Sequence, residues 1–311
     1  MPATTILGGD LKTIAREAIS NVGEILLPLR GFARTIETEK EGLMLNDTIQ
    51  VFVAGDIPEA AEYNAASNNY GKDNGGSHAW ISVKLDKRFK QTFSIQEDQF
   101  RRVQTAMSFA EFFKPFAQKV AAMLLKNGLA KLGTGGFDNK IAAIGAAAYD
   151  KSDAGKAETA LAKLVGVGRP LNLVLSMSYF DGFRDSLPNL PANPTNNEVL
   201  RKGTIPGVAG FSEVLRTSMI PDIVDTTPAG EHTVGFATNG TGIIIANGVP
   251  SSTLDTNIDY AVATEPVTGI AMAFSGYWNS DTRSYVATVE TLTGADVGDK
   301  KGILRIVETV S

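Results

Sequence analysis

The sequence predicts an α+β fold, on three observations. Residues 81–95, "ISVKLDKRFKQTFSI", alternate. Val83, Leu85, Phe89, Phe93 and Ile95 fall on one side with Lys87 and Gln91, and Lys84, Asp86, Arg88, Lys90, Thr92 and Ser94 fall on the other; this is the period of a β-strand. Residues 108–132 repeat at helical spacing instead, with Phe109, Phe112, Phe113, Phe116, Val120, Met123 and Leu124 on one stripe. Residues 262–311 return to strand patterning in "GIAMAFSGYW", "SYVATVETL" and "GILRIV", joined by turns at "NSD" and near "GADVGDKK".

Taken in order, "LKTIAREAISNVGEILLPL" predicts an N-terminal helix through Leu11, Ile14, Ala18 and Val22 that Pro28 ends. "NDTIQVFVAG" predicts a strand with Ile49, Val51 and Val53 on one face, and the Gly, Asn and Ser of residues 64–78 predict a loop. Residues 81–95 are then the return half of a long hairpin. A strand of that length would reach about 50 Å at roughly 3.3 Å per residue, where ordinary strands run about 5–6 residues. Ser94 with Glu97, and Ser108 with Glu111, have capping-box spacing. Within the helix that follows, Pro115 and Gly128 are places to bend, and Gly133, Gly135 and Gly136 of "GTGG" break the pattern as hinge glycines. "AETALAKLVGVG" predicts a helix with glycines at its end, "LNLVLSM" a buried strand, and "SYFDGFRDSL" a helix opened by Ser178. Residues 187–197 form a Pro/Asn loop, and no internal repeat occurs.

Bulk properties narrow the function. The 311 residues are 43% hydrophobic and 20% charged, which suits a packed globular chain. No apolar run is long enough to span a membrane, and the start has no signal-peptide pattern. Cysteine is absent, so there is no disulfide, thiol nucleophile or thiolate metal site; this fits a reducing cytoplasm. A net charge of −5 does not favour tight electrostatic binding of nucleic acid.

No catalytic, metal or cofactor site emerges. The two histidines, His78 and His232, sit in loop-like contexts and read as solvated side chains. "GTGGFDNK" lacks the Gly-Lys-Ser/Thr ending of a phosphate loop and follows a helix; "VGVGRP" precedes its strand, the reverse of a dinucleotide fold. Glu97 and Asp98 read as helix N-terminal charges. The sequons at Asn46 and Asn239 carry no meaning without a secretory signal. The hairpin's charge is more informative. Asp56, Glu59 and Glu62 lie on the outgoing half, and Lys84, Lys87, Arg88 and Lys90 on the return. Such a ribbon either pairs its charges across its own strands or presents a two-signed arm to a neighbouring copy.

The order of parts resembles the tailed-bacteriophage major capsid proteins. Three stretches carry the likeness: "KRFKQTFSIQEDQF" with the Phe-rich helix, "EVLRKGTIPGVAGFSEVLRTSMIP" with Gly203, Gly207, Gly210 and Phe211, and "EPVTGIAMAFSGYWNSDTRSYVATVETLTGADV" with Gly269 before its first strand and Gly294 after its second. The resemblance implies the HK97-like fold: an N-terminal arm and start of the P-domain (1–48), a long hairpin or E-loop (49–96), a spine helix region (97–132), an A-domain (133–261) and C-terminal P-domain strands (262–311). It further implies a structural protein rather than an enzyme. Its copies would form the hexamers and pentamers of an icosahedral shell around double-stranded DNA, in a virion assembled in the host bacterial cytoplasm. A scaffolding protein and a portal are the implied partners, with no cofactor and no membrane. No long charged N-terminal extension is seen, which suggests a separate scaffold or none. Lys72 at the hairpin tip is placed for the isopeptide cross-link some members make, but no partner Asn is identifiable. The alternative from the same fold is an encapsulin-like nanocompartment enclosing cargo enzymes.

Overall fold

The computed structural model describes residues 10–20, 22–37, 43–54, 78–102, 106–134, 136–143, 145–166, 170–187, 204–220, 231–251 and 258–309. The chain opens with α1 (Asp10–Ser20) and α2 (Gly23–Phe32). Leu11, Ile14, Ala18 and Val22 are all buried, as their spacing requires. Pro28 does not end the helical region. α1 ends earlier, at Ser20, and Pro28 sits buried inside α2, where it removes one backbone donor but fills core space.

Among the described residues, six strands form a first sheet. These are β1 (Ala33–Glu37), β4 (Lys87–Gln96), β10 (Ile243–Gly248), β11 (Asp259–Thr264), β12 (Ala271–Asn279) and β13 (Ser284–Val297). β13 is the spine of this sheet. β4 pairs along one edge over Ser284–Thr293, while β12 and then β10 divide the other edge between them. Phe113, Val120, Leu124 and Leu129 of the long helix α4 (Ala106–Leu129) belong to the same core as Ile243, Ile245, Phe274 and Val289, the residues of one sheet face. The helix begins at Ala106, so Ser108 lies within its first turn rather than capping it. The short helix α3 (Glu97–Arg102) leaves Ser94 in β4.

A second sheet runs β5 (Lys140–Ala142), β14 (Ile303–Thr309), β9 (Glu231–Thr238), β6 (Asn172–Ser176), β8 (Phe211–Thr217) and β7 (Thr204–Val208). Its core holds residues of α6 (Lys151–Val165) and α7 (Met177–Ser186) together with Leu173, Leu175, Val214 and Ile306. The opposite face, through Val174, Leu215, Phe236 and Ile303, joins the first core, where Phe32 of α2 meets Phe236 edge-on at 5.4 Å. α6 starts from a capping box between Asp150 and Asp153, which sequence reasoning missed, and ends at Gly166 with φ +77°. The residue before α7 is Ser176, not Ser178.

The sheets are not consecutive in sequence. β10, placed with residues 133–261, and β11, which straddles the boundary at 261, pair in the first sheet, while β14, placed among the C-terminal strands of 262–311, pairs with β9 and β5 in the second. The turn expected near "GADVGDKK" begins only at Gly298, and Gly294 lies inside β13 opposite Ala246. Residues 81–95 are not one strand. β3 (His78–Lys84) pairs antiparallel with β2 (Thr48–Ala54), and after Leu85 and Asp86 the chain changes partner to become β4.

Candidate subunit interface

The β2–β3 ribbon is built by two alternations laid in register. On one face, Val51, Val53, Val83 and Leu85 are buried with Leu43 against Ile244, Ala246 and Leu292. Those are the residues of β10 and β13 that point away from α4, so the ribbon lies over the sheet face opposite the helices. Gly294 permits this crossing: a Cβ there would stand 2.0 Å from the Lys84 carbonyl oxygen. At the root, the Leu85 amide donates to the Asp47 carbonyl at 2.8 Å, and the Asn46 amide to that of Leu85 at 2.8 Å. Arg34 Nη1 donates to the Phe52 carbonyl at 3.0 Å and ties the ribbon to β1.

The other face points to solvent. Gln50 Nε2 donates to Ser82 Oγ at 2.7 Å, and Phe52 meets Trp80 edge-on with ring centroids 5.5 Å apart. Trp80 is 67% exposed and Phe52 39%. Sequence reasoning passed over this pair, although Phe52 and Trp80 share the parity of Lys84 and fall opposite Val51, Val83 and Leu85. Met44 and Leu45, in the turn leading into β2, are exposed as well.

The charged residues separate. Lys84 is on the ribbon's exposed face. Lys87, Arg88 and Lys90 are not on the ribbon at all; they belong to β4 in the first sheet. Arg88 Nε and Nη2 both donate to Glu290 Oε2, at 2.9 and 2.7 Å, and Lys90 stands opposite Glu290 in the ladder. Among the described residues Lys87 meets Asp86, at 3.8 Å between exposed groups. The acid facing this basic strand is therefore Glu290 of β13, a single carboxylate in "VATVETL" whose partner no sequence spacing reveals. Asp56, Glu59, Glu62 and Lys72 lie outside the described residues.

Of the bending positions, Pro115 sits within a continuous α4. Gly128 packs closely, since a Cβ there would meet Ile245 Cδ1 at 2.7 Å. Gly133 is in the short helix α5 (Lys131–Thr134), Gly136 has φ +68°, and Gly135 falls outside the described residues. Just beyond, Arg305 is buried and its Nε donates to the Phe137 carbonyl at 2.7 Å, fixing the chain where it enters the second sheet. Burial lowers the pKa of its guanidinium, and the charge of Asp138 partly offsets this.

The segment around Gly203 to Phe211 is a hairpin. Val208 and Phe211 pair across a two-residue turn in which Ala209 and Gly210 have φ of +54° and +83°, the signs of a type I′ turn. Gly207 also has positive φ, Phe211 is buried in the second core, and Gly203 lies outside the described residues. The histidines are in strands rather than loops: His78 opens β3, and His232 stands in β9 opposite Glu308.

Where β12 and β10 divide the edge of β13, their ends leave backbone groups without ladder partners. Asn247 fills the gap. Its Oδ1 accepts from the Ala271 amide at 2.7 Å, and its Nδ2 donates to Thr291 Oγ1 at 2.7 Å, all buried. Such a satisfied network holds one strand arrangement, because unpairing any member costs about 1–3 kcal/mol. Among the described residues no three His, Asp or Glu side chains converge as a metal set, and no helix is long and apolar enough to cross a membrane.

No family model matches the sequence, and no curated protein matches it. Solved structures do match in fold. The capsid of Ralstonia phage GP4 aligns with a TM-score of 0.53 and 10% identity, over 90% of this chain and 87% of that one. The capsid of cyanophage P-SCSP1u aligns at 0.51 and 11% identity, over 91% and 87%. The capsid of a native GTA particle aligns at 0.51 and 16% identity, over 94% and 90%. The chain has the α+β, HK97-like fold of these phage capsid chains.

Proposed function

We propose that this chain is a shell subunit, the major capsid protein of a tailed bacteriophage, with a structural and not a catalytic role. Its copies join as hexamers and pentamers of an icosahedral shell around double-stranded DNA, which the acidic protein (pI about 5.2) does not grip tightly. The observation that carries this reading is the extent of the likeness: about nine-tenths of this chain overlays nearly nine-tenths of capsid chains from GP4 and P-SCSP1u. The ribbon adds support, because it lifts off the first sheet and turns an aromatic pair outward, away from its own core.

On this reading residues 49–96 supply the arm and its return strand, 97–132 the spine helix, 133–261 most of the A-domain, and 1–48 with 262–311 most of the P-domain. Lys84 and Lys87, and Asp56, Glu59 and Glu62, remain the proposed charged contacts between copies. A scaffolding protein and a portal are the proposed partners, and the virion the proposed location, with assembly in the host cytoplasm. Pro115 and the glycines at 133, 135 and 136 are the proposed points of bending as the shell expands.

The test is to purify the protein alone and co-expressed with a scaffold, and to examine it by light scattering and negative-stain microscopy. Closed particles or ring-shaped capsomers are expected. A stable monomer at high concentration under both conditions overturns the proposal, and shells that hold protein cargo without DNA redirect it to a nanocompartment. In particles that expand, P115A restores a helical hydrogen bond and slows expansion; unchanged kinetics remove the proposed bending role.

A further inference from the structure

We propose that the cavity beside α6 binds a nucleotide, with the base on its apolar wall and the phosphates among its lysines. The cavity is about 920 Å³ and opens to solvent between α6, the start of β5, Leu304 of β14 and the hairpin turn at Ala209 and Gly210. That volume lies within the roughly 300–1,000 Å³ of small-molecule sites. The proposal goes beyond the shell reading and does not depend on it.

Charge selects an anion. The exposed positions of α6 are Lys151, Ser152, Lys156, Thr159 and Lys163. Ser152, Lys156, Thr159 and Lys163 recur at steps of four, three and four residues, so they form one helical stripe with a hydrogen-bond donor at every position. Lys140 of β5 lines the same cavity, so four lysines stand there against one carboxylate, Glu158. Asp153 pairs with Lys156 at 2.9 Å. Asp150 accepts from the amides of Ser152 and Asp153, so the site does not rest on open amides at the start of the helix. The chain as a whole carries a net charge of −5, and this local excess of positive charge runs against it.

Shape distinguishes a nucleotide from a bare anion. Ala160, Leu164 and Ala209 are only partly covered by the second core and line the cavity as apolar surface. A planar base can lie on such a wall. Glu158 and Asn139 offer a carboxylate acceptor and a side-chain amide to its edge. Gly155 keeps the space open. It sits mid-helix, where glycine costs about 1 kcal/mol relative to alanine, yet a Cβ there would meet nothing within 4 Å. Packing therefore does not require this glycine, whereas an occupant lying along α6 would. A base paired in a duplex cannot lie flat on the wall, so the nucleotide is either free or part of a single strand.

Binding is measured on the purified chain by equilibrium dialysis with ATP, inorganic tripolyphosphate, adenosine, a short oligothymidylate and the same strand in a duplex. ATP or the single strand is expected to saturate one site per chain, about tenfold tighter than tripolyphosphate, adenosine or the duplex. Tighter binding of ATP assigns a free nucleotide, and tighter binding of the oligothymidylate assigns a strand. No saturable binding of either, or tripolyphosphate or duplex bound as well as the better of the two, overturns the proposal. Gly155→Phe places its ring in open space, so it should keep the melt and abolish binding. Lys163→Gln should also keep the melt and weaken binding about tenfold. Unchanged binding by either folded variant overturns the proposal. A chain that forms particles and binds no nucleotide overturns it too and leaves the shell reading intact.

Discussion

Arg88 and Glu290 decide what a charged residue on β4 can mean. Glu290 is mostly buried, and both donors of Arg88 go to one of its oxygens. Reversing Arg88 would strand a carboxylate inside the sheet, at a cost of about 1–3 kcal/mol. Charge reversal as a probe of assembly therefore belongs at Lys84 and Lys87, which hold up no such partner. Tyr285 gives a residue-level test of pH dependence. Its pKa is raised first by burial, then by the charge of Asp259 and a hydrogen bond to it. A raised folded-state pKa means the neutral phenol stabilises the fold fully below the unfolded value of about 10, and the benefit is lost as pH climbs through the folded value. The melting temperature should fall with pH above about 10, and less steeply in Tyr285→Phe; equal slopes for both proteins would sink the assignment.

At the scale of elements, the return strand serves two cores with one alternation. Phe89, Phe93 and Ile95 face α4, with Phe93 stacked on Phe116 at 4.0 Å. Beyond Asp86 the chain rises over the sheet without turning over, so Val83 and Leu85 still point the same way but now land on Leu292 and Ile244. The crossing depends on Gly294, where any side chain meets the Lys84 carbonyl. Gly294→Ala should lower stability by about 1–3 kcal/mol through overpacking, measured by thermal melt. An unchanged melt would mean that the ribbon does not need this close approach.

At the scale of the whole molecule, two sheets share α2, and the ribbon lies outside both of their cores on a small third cluster of its own. Replacing residues 56–76 by a short Gly-Ser turn, while keeping β2 and β3, should leave the melt nearly unchanged, because a hairpin tip rich in Gly, Asn and Ser contributes few core contacts. Assembly should weaken or fail, since the arm loses its reach and the acids Asp56, Glu59 and Glu62. In the intact protein the charged part of the contact should weaken with salt, as the Debye length falls to about 3 Å at 1 M. Light scattering reads both effects. Normal assembly of the shortened chain would show that the arm is not needed.

The sequence by itself determined which residues are buried and in what local form. Period two set the burial of Val51, Val83 and Ile95, and period 3.6 that of Phe109, Phe113 and Val120. A period says which face is buried and not against what. Only the tertiary structure decided that the return strand breaks at Asp86, that residues 303–309 leave the first sheet for the second, and that Arg88 answers to Glu290. Each of those outcomes is a pairing between residues far apart in the chain, where many partners satisfy the same alternation and packing selects one. The candidate site was hidden for the same reason. Trp80 and Phe52 share the parity of Lys84, opposite Val51 and Val83, but the alternation does not tell that the Val51–Val83 face lands on the first sheet, which Gly294 permits.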